Sequence, residues 1–442
     1  MKPIVAVVGR PNVGKSTLFN KLAGRRVSIV KDTPGVTRDR IYADASWLDK
    51  EYLVVDTGGI EPDTSDILLQ SMRSQAQLAI DTADVIIFVT DAKSGKTDAD
   101  VEVANMLRKS HKPVVVAVNK LDNMLDITAM YEFYSLGLGD PMPISAEQGQ
   151  GIGDLLDEVV KYFPEKAEGE EESELLKLAV IGKPNVGKSS LINKLLGEDR
   201  VIVSDIAGTT RDSIDAVVTN RGRQYLFIDT AGIRRQSRVN EDIERVSVIR
   251  AVASVERCDI AIVMIDAETG VTEQDAKIAG LAHEKGKGVV LAVNKWDAIE
   301  KDDKTIYELS RQLDETLSFI PYAEKVFISA KTGLRIDKLF DSILLTEENQ
   351  NKRVPTGVLN DVLYEAMSLN QPPSDKGRRL KIYYMTQIGV KPPTFVIFVN
   401  DKKLMHYSYT RYIENQIREN FGFNGTPVQF IIRERGVLEE RF

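Results

Sequence analysis

At 442 residues, 43% hydrophobic and 28% charged, the chain has the composition of globular proteins and is too long for one core, so about three domains are expected. A net charge of −8 excludes a protein that coats nucleic acid over its whole surface, and a single cysteine, Cys258, excludes an internal disulfide or a thiolate metal site. No apolar run approaches the roughly 20 residues that span a bilayer, and the amino terminus leaves no room for a signal peptide, so a cytoplasmic chain without a membrane partner is expected.

The first apolar run, Ile4 to Val8, ends in Gly9-Arg-Pro-Asn-Val-Gly-Lys15-Ser16, an instance of the phosphate-binding pattern G-x-x-x-x-G-K-[ST]. Strand candidates follow at Tyr52 to Val55, Val85 to Thr90, Val114 to Val118 and Met142 to Ile144, separated by helical patterns. Asp32-Thr-Pro-Gly-Val-Thr37 lies before the second of these runs. Asp56-Thr-Gly-Gly59-Ile60 closes the second, Asn119-Lys-Leu-Asp122 the fourth, and Ser145-Ala146 the fifth. The alternation predicts an α/β domain over 1–163, a mostly parallel sheet with helices on both faces and its ligand edge at the strands' carboxyl ends. Residues 164–174 open on a proline and hold six Glu and one Lys from Glu165 to Glu174, which reads as a solvated acidic linker.

The same text then recurs 173 residues later. Leu178 to Ile181 ends in Gly182-Lys-Pro-Asn-Val-Gly-Lys188-Ser189, Asp205-Ile-Ala-Gly-Thr-Thr210 follows, and Tyr225 to Ile228 ends in Asp229-Thr-Ala-Gly232-Ile233. Runs at Ile260 to Ile265, Val289 to Val293 and Val326 to Ile328 complete the set, the last two closed by Asn294-Lys-Trp-Asp297 and Ser329-Ala330. Two matches in register leave chance below about 1 per cent. A second domain of the same kind is expected over 175–346.

Residues 351–442 carry no phosphate motif. A helix over Thr356 to Ser368, strands at Leu380 to Thr386 and Thr394 to Val399, a helix over Ser408 to Phe421 and a strand at Val428 to Ile432 predict a small α+β domain. From Val354 to Phe442 there are 12 Lys and Arg against 9 Asp and Glu, so this is the basic part of an acidic chain.

The chemistry follows from the residue types. Glycine-rich loops turn backbone N–H groups inward around phosphates, and the next helix adds its positive end. The first loop would offer Gly9, Asn12, Val13, Gly14, Lys15, Ser16 and Thr17, and the second Gly182, Asn185, Val186, Gly187, Lys188, Ser189 and Ser190. Lys15 and Lys188 supply point charges to the β- and γ-phosphates, while Ser16 with Asp56 and Ser189 with Asp229 offer oxygen to Mg²⁺. Asp122 and Asp297 can each accept two neighbouring N–H donors, as guanine presents and adenine does not, so GTP and GDP are the expected nucleotides. Asn119, Lys120 and Ser145, and Asn294, Lys295 and Ser329, complete the base sites.

In this order the motifs resemble those of the translation-factor-related GTPases. Two copies followed by a small domain resemble, over essentially the whole chain, the bacterial EngA (Der) GTPases of ribosome assembly. The resemblance implies a KH-like last domain, GTP hydrolysis, and as partners the large (50S) ribosomal subunit and its rRNA. It implies switch threonines at Thr37 and Thr210 that meet Mg²⁺, phosphate-sensing glycines at Gly59 and Gly232, and backbone contacts to guanine from Ala146 and Ala330. Ile60 and Ile233 stand where Ras-like enzymes carry glutamine, so intrinsic turnover should be slow. With Asn12 and Asn185 in the loops, the pattern is similar to potassium-activated GTPases, which implies K⁺ as a second cation. A signalling or trafficking switch with a protein partner is the alternative reading, and a third treats one repeat as a nucleotide-locked structural element. A monomer is expected.

The switch segments differ in charge, Ile233-Arg-Arg-Gln-Ser-Arg238 against Ile60-Glu-Pro-Asp-Thr. In the last domain Gly422-Phe-Asn-Gly425 matches a G-x-x-G string but lies between a helix and the final strand, which favours a helix stop and turn. Lys376, Arg378, Arg379 and Lys381 are the better RNA candidates. Tyr383, Tyr384, Tyr407, Tyr409 and Tyr412 are expected to pack the core, and Cys258 to be a buried thiol.

Overall fold

The computed structural model describes residues 2–24, 41–58, 65–122, 128–164, 175–197, 215–230, 244–300, 304–375 and 378–435. The expectations placed on Thr37, Gly59, Ile60, Thr210, Gly232, Ile233, the arginines after it, Lys376 and the acidic linker from 165 to 174 fall outside the described residues. The chain divides into two compact units. One holds the first repeat together with residues 243–256, the other the remainder of the second repeat with the carboxyl-terminal domain.

The first repeat runs β1 (Ile4–Val8), α1 (Lys15–Ala23), β2 (Tyr42–Trp47), β3 (Lys50–Asp56), α2 (Ser65–Thr82), β4 (Val85–Asp91), α3 (Asp98–Lys109), β5 (Val114–Asn119), a 3-10 segment (Thr128–Leu136), β6 (Met142–Pro143) and α4 (Ile152–Lys161). Its six strands lie in the order β2-β3-β1-β4-β5-β6, parallel except for the β2–β3 hairpin. Strands β1 and β4 are buried along their whole length, which is why they read as unbroken apolar runs rather than alternating ones. Val5, Val7 and Ile87 face Leu18 of α1 and Leu155 and Val159 of α4 in one core cluster, each such side chain contributing about 1.5–3 kcal/mol. Sequence periodicity missed β2: Tyr-Ala-Asp-Ala-Ser-Trp has little apolar alternation because it is a half-exposed edge. The hairpin signal lay in Leu48 and Asp49, whose positive φ values of 46° and 61° give a turn that matches the twist of the flanking strands.

The second repeat runs β7 (Leu176–Ile181), α5 (Lys188–Gly197), β8 (Ala216–Asn220), β9 (Arg223–Ile228), α6 (Glu244–Arg257), β10 (Ile260–Asp266), α7 (Glu273–Glu284), β11 (Gly288–Asn294), α8 (Thr305–Thr316), β12 (Glu324–Phe327) and α9 (Ile336–Asn351). Its sheet, β12-β11-β10-β7-β9-β8, repeats the first, with the missed edge strand now β8, turned at Arg221 and Gly222. Both repeats are α/β domains with a mostly parallel sheet. Cys258 is buried just before β10, where desolvation pushes its thiol up to about 12.

The carboxyl-terminal domain has α10 (Thr356–Leu369), a short hairpin of β13 (Ser374–Asp375) and β14 (Arg378–Arg379), then β15 (Ile382–Gly389), β16 (Thr394–Val399), α11 (Tyr407–Phe421) and β17 (Gln429–Glu434). Strands β15 and β16 are antiparallel and β16 and β17 parallel. The α-β-β-α-β order read from sequence stands, with the small hairpin added. Of the tyrosines, Tyr409 is buried and donates to the Asn370 carbonyl, and Tyr412 donates to Ala366. The expectation that all five pack the core needs correction for Tyr384 and Tyr407, which are 40% and 65% exposed. Strand alternation turns Tyr384 away from the core-facing Met385 and onto Phe398, with ring centroids 4.4 Å apart.

Gly422 does stop α11, with φ 82°. The string it opens also docks this domain on the second repeat. Gly425 accepts from the backbone N–H of Val289 at 2.7 Å and donates to Tyr322 O at 2.7 Å, while Asn349 of α9 donates to Asn424 O at 3.0 Å. The Arg418 guanidinium lies 4.6 Å over the Tyr322 ring, and the Tyr322 hydroxyl is 2.8 Å from Nδ1 of His283 on α7.

Candidate nucleotide sites

Each phosphate loop leaves the carboxyl end of its repeat's central strand, β1 or β7, and runs into α1 or α5. The first glycine is demanded by backbone proximity: a Cβ on Gly9 would lie 2.3 Å from Val89 O, and one on Gly182 2.6 Å from Met264 O. Asn12 and Asn185 both take φ 64°, a left-handed conformation that asparagine tolerates, and both side chains are exposed at the loop. Lys15 is buried and donates to the carbonyl of Arg10 at 2.7 Å, and Lys188 donates to the carbonyls of Gly182 and Lys183, both at 2.8 Å.

At the neighbouring strand end, Ser16 Oγ donates to Asp56 Oδ2 at 2.9 Å, and the other carboxylate oxygen accepts from Gly58 N at 2.8 Å. Two hard oxygen donors thus converge beside the loop, as a small divalent cation with retained water requires. In the second repeat Ser189 is the second residue of α5, and Asp229 follows β9 at φ 58°, its N–H donating to Asp215 at 2.9 Å. Among the described residues, no group of three His, Cys, Asp or Glu side chains could hold a metal unaided.

The base motifs converge from β5 and β11. Asn119 is buried, donates to Val13 O at 2.7 Å and accepts from Ala146 N at 2.9 Å. Asn294 repeats both bonds, to Val186 O at 2.7 Å and from Ala330 N at 2.8 Å. Each asparagine therefore braces the phosphate loop against the loop after β6 or β12. Lys120 lies along the first loop, 2.7 Å from Asn12 O and 2.7 Å from Asp91. Burial works to raise the Asp91 carboxyl, but Lys120 and nearby backbone N–H groups hold it below its ordinary value. Lys295 meets Asp266 at 2.6 Å and Glu268 at 3.1 Å, and its ammonium is raised by those bonds, Asp266 first.

Asp122 accepts from Ser145 at 3.0 Å and from Lys93 at 2.6 Å, and Lys93 holds its carboxyl below the usual range. The position matching Lys93 in the second repeat is Glu268, so the two base pockets differ in charge. In the second repeat Asn185, Gly187, Ser190, Asn294, Lys295, Asp297 and Ala330 line one cavity of about 630 Å³, a size that holds a small-molecule ligand. Thr17 and Ser190 sit in the first turn of α1 and α5. Sequence reasoning missed Lys93, Asp91 and Asp266, and Lys331, which lines the same cavity. The aspartates had a signal, since each ends a buried apolar strand on the edge that carries every other motif.

Residues 4–120 and 177–295 match the family profile described as 50S ribosome-binding GTPase, and 353–433 match that of the KH-domain-like carboxyl-terminal region of EngA bacterial GTPase enzymes. The chain is 64% identical over 435 residues to the GTPase Der of Agathobacter rectalis and 66% identical over 438 residues to that of Lachnoclostridium phytofermentans. It is 58% identical over 434 residues to the GTPase Der of Clostridium perfringens. Each alignment covers 98% of this chain and 99% of the relative.

Proposed function

Given that the chain belongs to the EngA (Der) family of GTPases, we propose that it couples GTP hydrolysis at two separate sites to maturation of the large ribosomal subunit, with rRNA as part of its partner surface. The observation that carries the two-site reading is the paired brace: Asn119 and Asn294 each tie phosphate loop to base loop through the same two bonds. One unused copy would be under no physical requirement to keep that geometry.

The residues divide the work. Loop N–H groups from Gly9 to Lys15 and from Gly182 to Lys188 receive the phosphates, and Lys15 and Lys188 exchange their loop carbonyls for β- and γ-phosphate oxygens. Asp122 gives up Lys93 to accept N1–H and N2–H of guanine, and Asp297 reads the same edge. Ser16 with Asp56, and Ser189 with Asp229, would hold Mg²⁺ together with Thr37 and Thr210. When bound, that ion neutralises charge developing between the β- and γ-phosphates. Asn12 and Asn185, exposed at the loops, would offer carboxamide oxygens to a K⁺ that takes the place of an arginine finger. Gly59 and Gly232 would sense the γ-phosphate, so that switch segments rearrange on hydrolysis. The exposed Arg378 and Arg379 of β14 offer phosphate contacts for rRNA.

Co-sedimentation with purified 50S subunits tests the reading. Association should be strong with a non-hydrolysable GTP analogue, weaker with GDP, and lost on ribonuclease treatment of the particle; association equal in all nucleotide states would overturn it. In the same preparations turnover should be faster in KCl than in NaCl at equal ionic strength, and equal rates would remove the K⁺ role. Among the described residues no helix is long and apolar enough to cross a membrane.

A further inference from the structure

The second position of each phosphate loop carries a cation whose side chain turns away from the phosphates. Arg10 Nε lies 3.5 Å from Asp100 Oδ1, and its guanidinium donates to Gly95 O at 3.3 Å and to the Ser94 hydroxyl. In the second repeat Lys183 Nζ lies 3.3 Å from Asp275 and donates to the Thr269 hydroxyl at 3.0 Å. Asp100 and Asp275 are matching positions, as are Ser94 and Thr269, each pair 175 residues apart. Two different cations have thus arrived at the same pair of contacts, a buried aspartate and a hydroxyl.

Both aspartates are fully buried, at 0% exposure. Each is the third residue of its helix, α3 or α7, and closes a capping box with Thr97 or Thr272. The capping bonds use Oδ2, at 2.8 Å from Thr97 and 2.7 Å from Thr272, and in both repeats Oδ1 has no hydrogen-bond partner. A cap alone needs no buried charge, because Ser or Thr at the cap with Gln at the third position serves as well. A carboxylate in this place is compensated by the loop cation, and removing one member leaves the other buried and unbalanced. The carbonyls of these same residues, Arg10 and Lys183, receive the phosphate-loop lysines Lys15 and Lys188. Side chain and carbonyl of one residue therefore join a fixed helix end to the group that meets the phosphates.

We infer that Arg10 and Lys183 are positioning residues: each anchors its phosphate loop to a buried aspartate on the helix that follows the neighbouring strand and so keeps the loop in the shape that accepts a di- or triphosphate. This inference rests on the nucleotide sites proposed above. Neither cation touches the ligand. Its loss lowers the fraction of loops competent to bind, and apparent affinity falls by that fraction.

The experiment uses the full chain with Lys188→Ala, so that a fluorescent GDP analogue reports the first site alone, with thermal unfolding followed on every variant. Arg10→Lys, which copies the second repeat, should bind within about threefold of the parent. Arg10→Met should bind about tenfold or more weakly. Arg10→Met with Asp100→Asn removes both charges while Asn retains an acceptor for the cap. It should recover thermal stability yet stay weak in binding. In the Lys15→Ala chain, Lys183→Arg and Lys183→Met should reproduce the pattern at the second site. Parent-like binding by Arg10→Met, or recovery of affinity along with stability in the double variant, overturns the inference, since the pair would then serve only the fold. Failure of the parent to bind GDP at all would instead sink the nucleotide-site reading.

Discussion

Asp297→Asn, in a chain whose first site is silenced by Lys15→Ala, is expected to lower GTP affinity by about 10³–10⁴ and to admit XTP in its place. The carboxylate accepts only, and guanine meets it with two donors, N1–H and the N2 amino group. Asparagine keeps one acceptor and substitutes a donor for the other, so guanine's second donor faces an N–H and loses its partner in a confined pocket. Xanthine carries a carbonyl oxygen where guanine has that amino group, and the new donor fits it. Asp297 lines the same cavity of about 630 Å³ as Asn185, Lys295 and Ala330. Asp122→Asn should give the same exchange at the first site, where guanine takes the place of Lys93 on that carboxylate. Competition binding with GTP, XTP, ITP and ATP checks both. An Asp297→Asn protein that still prefers GTP would mean that this residue does not read the base.

Gly425→Ala is expected to release the carboxyl-terminal domain from the second repeat and cost about 2–5 kcal/mol, while nucleotide binding by the first repeat stays unchanged. A Cβ here would sit 2.0 Å from Thr346 Oγ1 and 2.7 Å from its Cβ, on a threonine that is fully buried in α9 and has nowhere to move. The φ of 76° adds strain of its own. The same residue makes both backbone bonds that splice the domain to Val289 and Tyr322. Calorimetry should show the transition of the second unit lowered by several degrees, with protease access opening near Asn351; an unmoved transition would contradict the docking.

The seam should also respond to pH through His283. Burial, aided by Arg411 and Arg418, holds its imidazole down to about 4, beside the Tyr322 hydroxyl. The unfolded chain takes up the proton first, near 6.5, so this contribution is complete above that pH and lost as pH falls from 6.5 toward about 4. His283→Gln should flatten that segment of the stability profile.

What could be read from the chain was whatever a single strand and its following loop contain. Gly9 to Ser16, Asn119 to Asp122 and their copies are contiguous, and the runs opening at Ile4, Val85, Ile260 and Val289 are buried along their whole length and therefore plainly apolar. Strands β2 and β8 escaped because an edge strand with one wet face needs no such run. The Arg10–Asp100 and Lys183–Asp275 contacts escaped for a different reason: about ninety residues separate the partners, and only the lateral pairing of β4 with β1 and of β10 with β7 brings them together. Gly422 to Gly425 was legible as a turn, but its docking role needed the position of Val289 and Thr346. The exchange of Lys93 for Glu268 stands openly in the sequence, yet it acquires meaning only once Lys93 is seen on Asp122.

Calorimetric titration of the nucleotide-free chain with GDP in Mg²⁺ tests the central claim most directly. Two sites per chain should be found, one abolished by Lys15→Ala and the other by Lys188→Ala, with no heat from ADP. One site only, or ADP taken up in preference to GDP, would contradict the account.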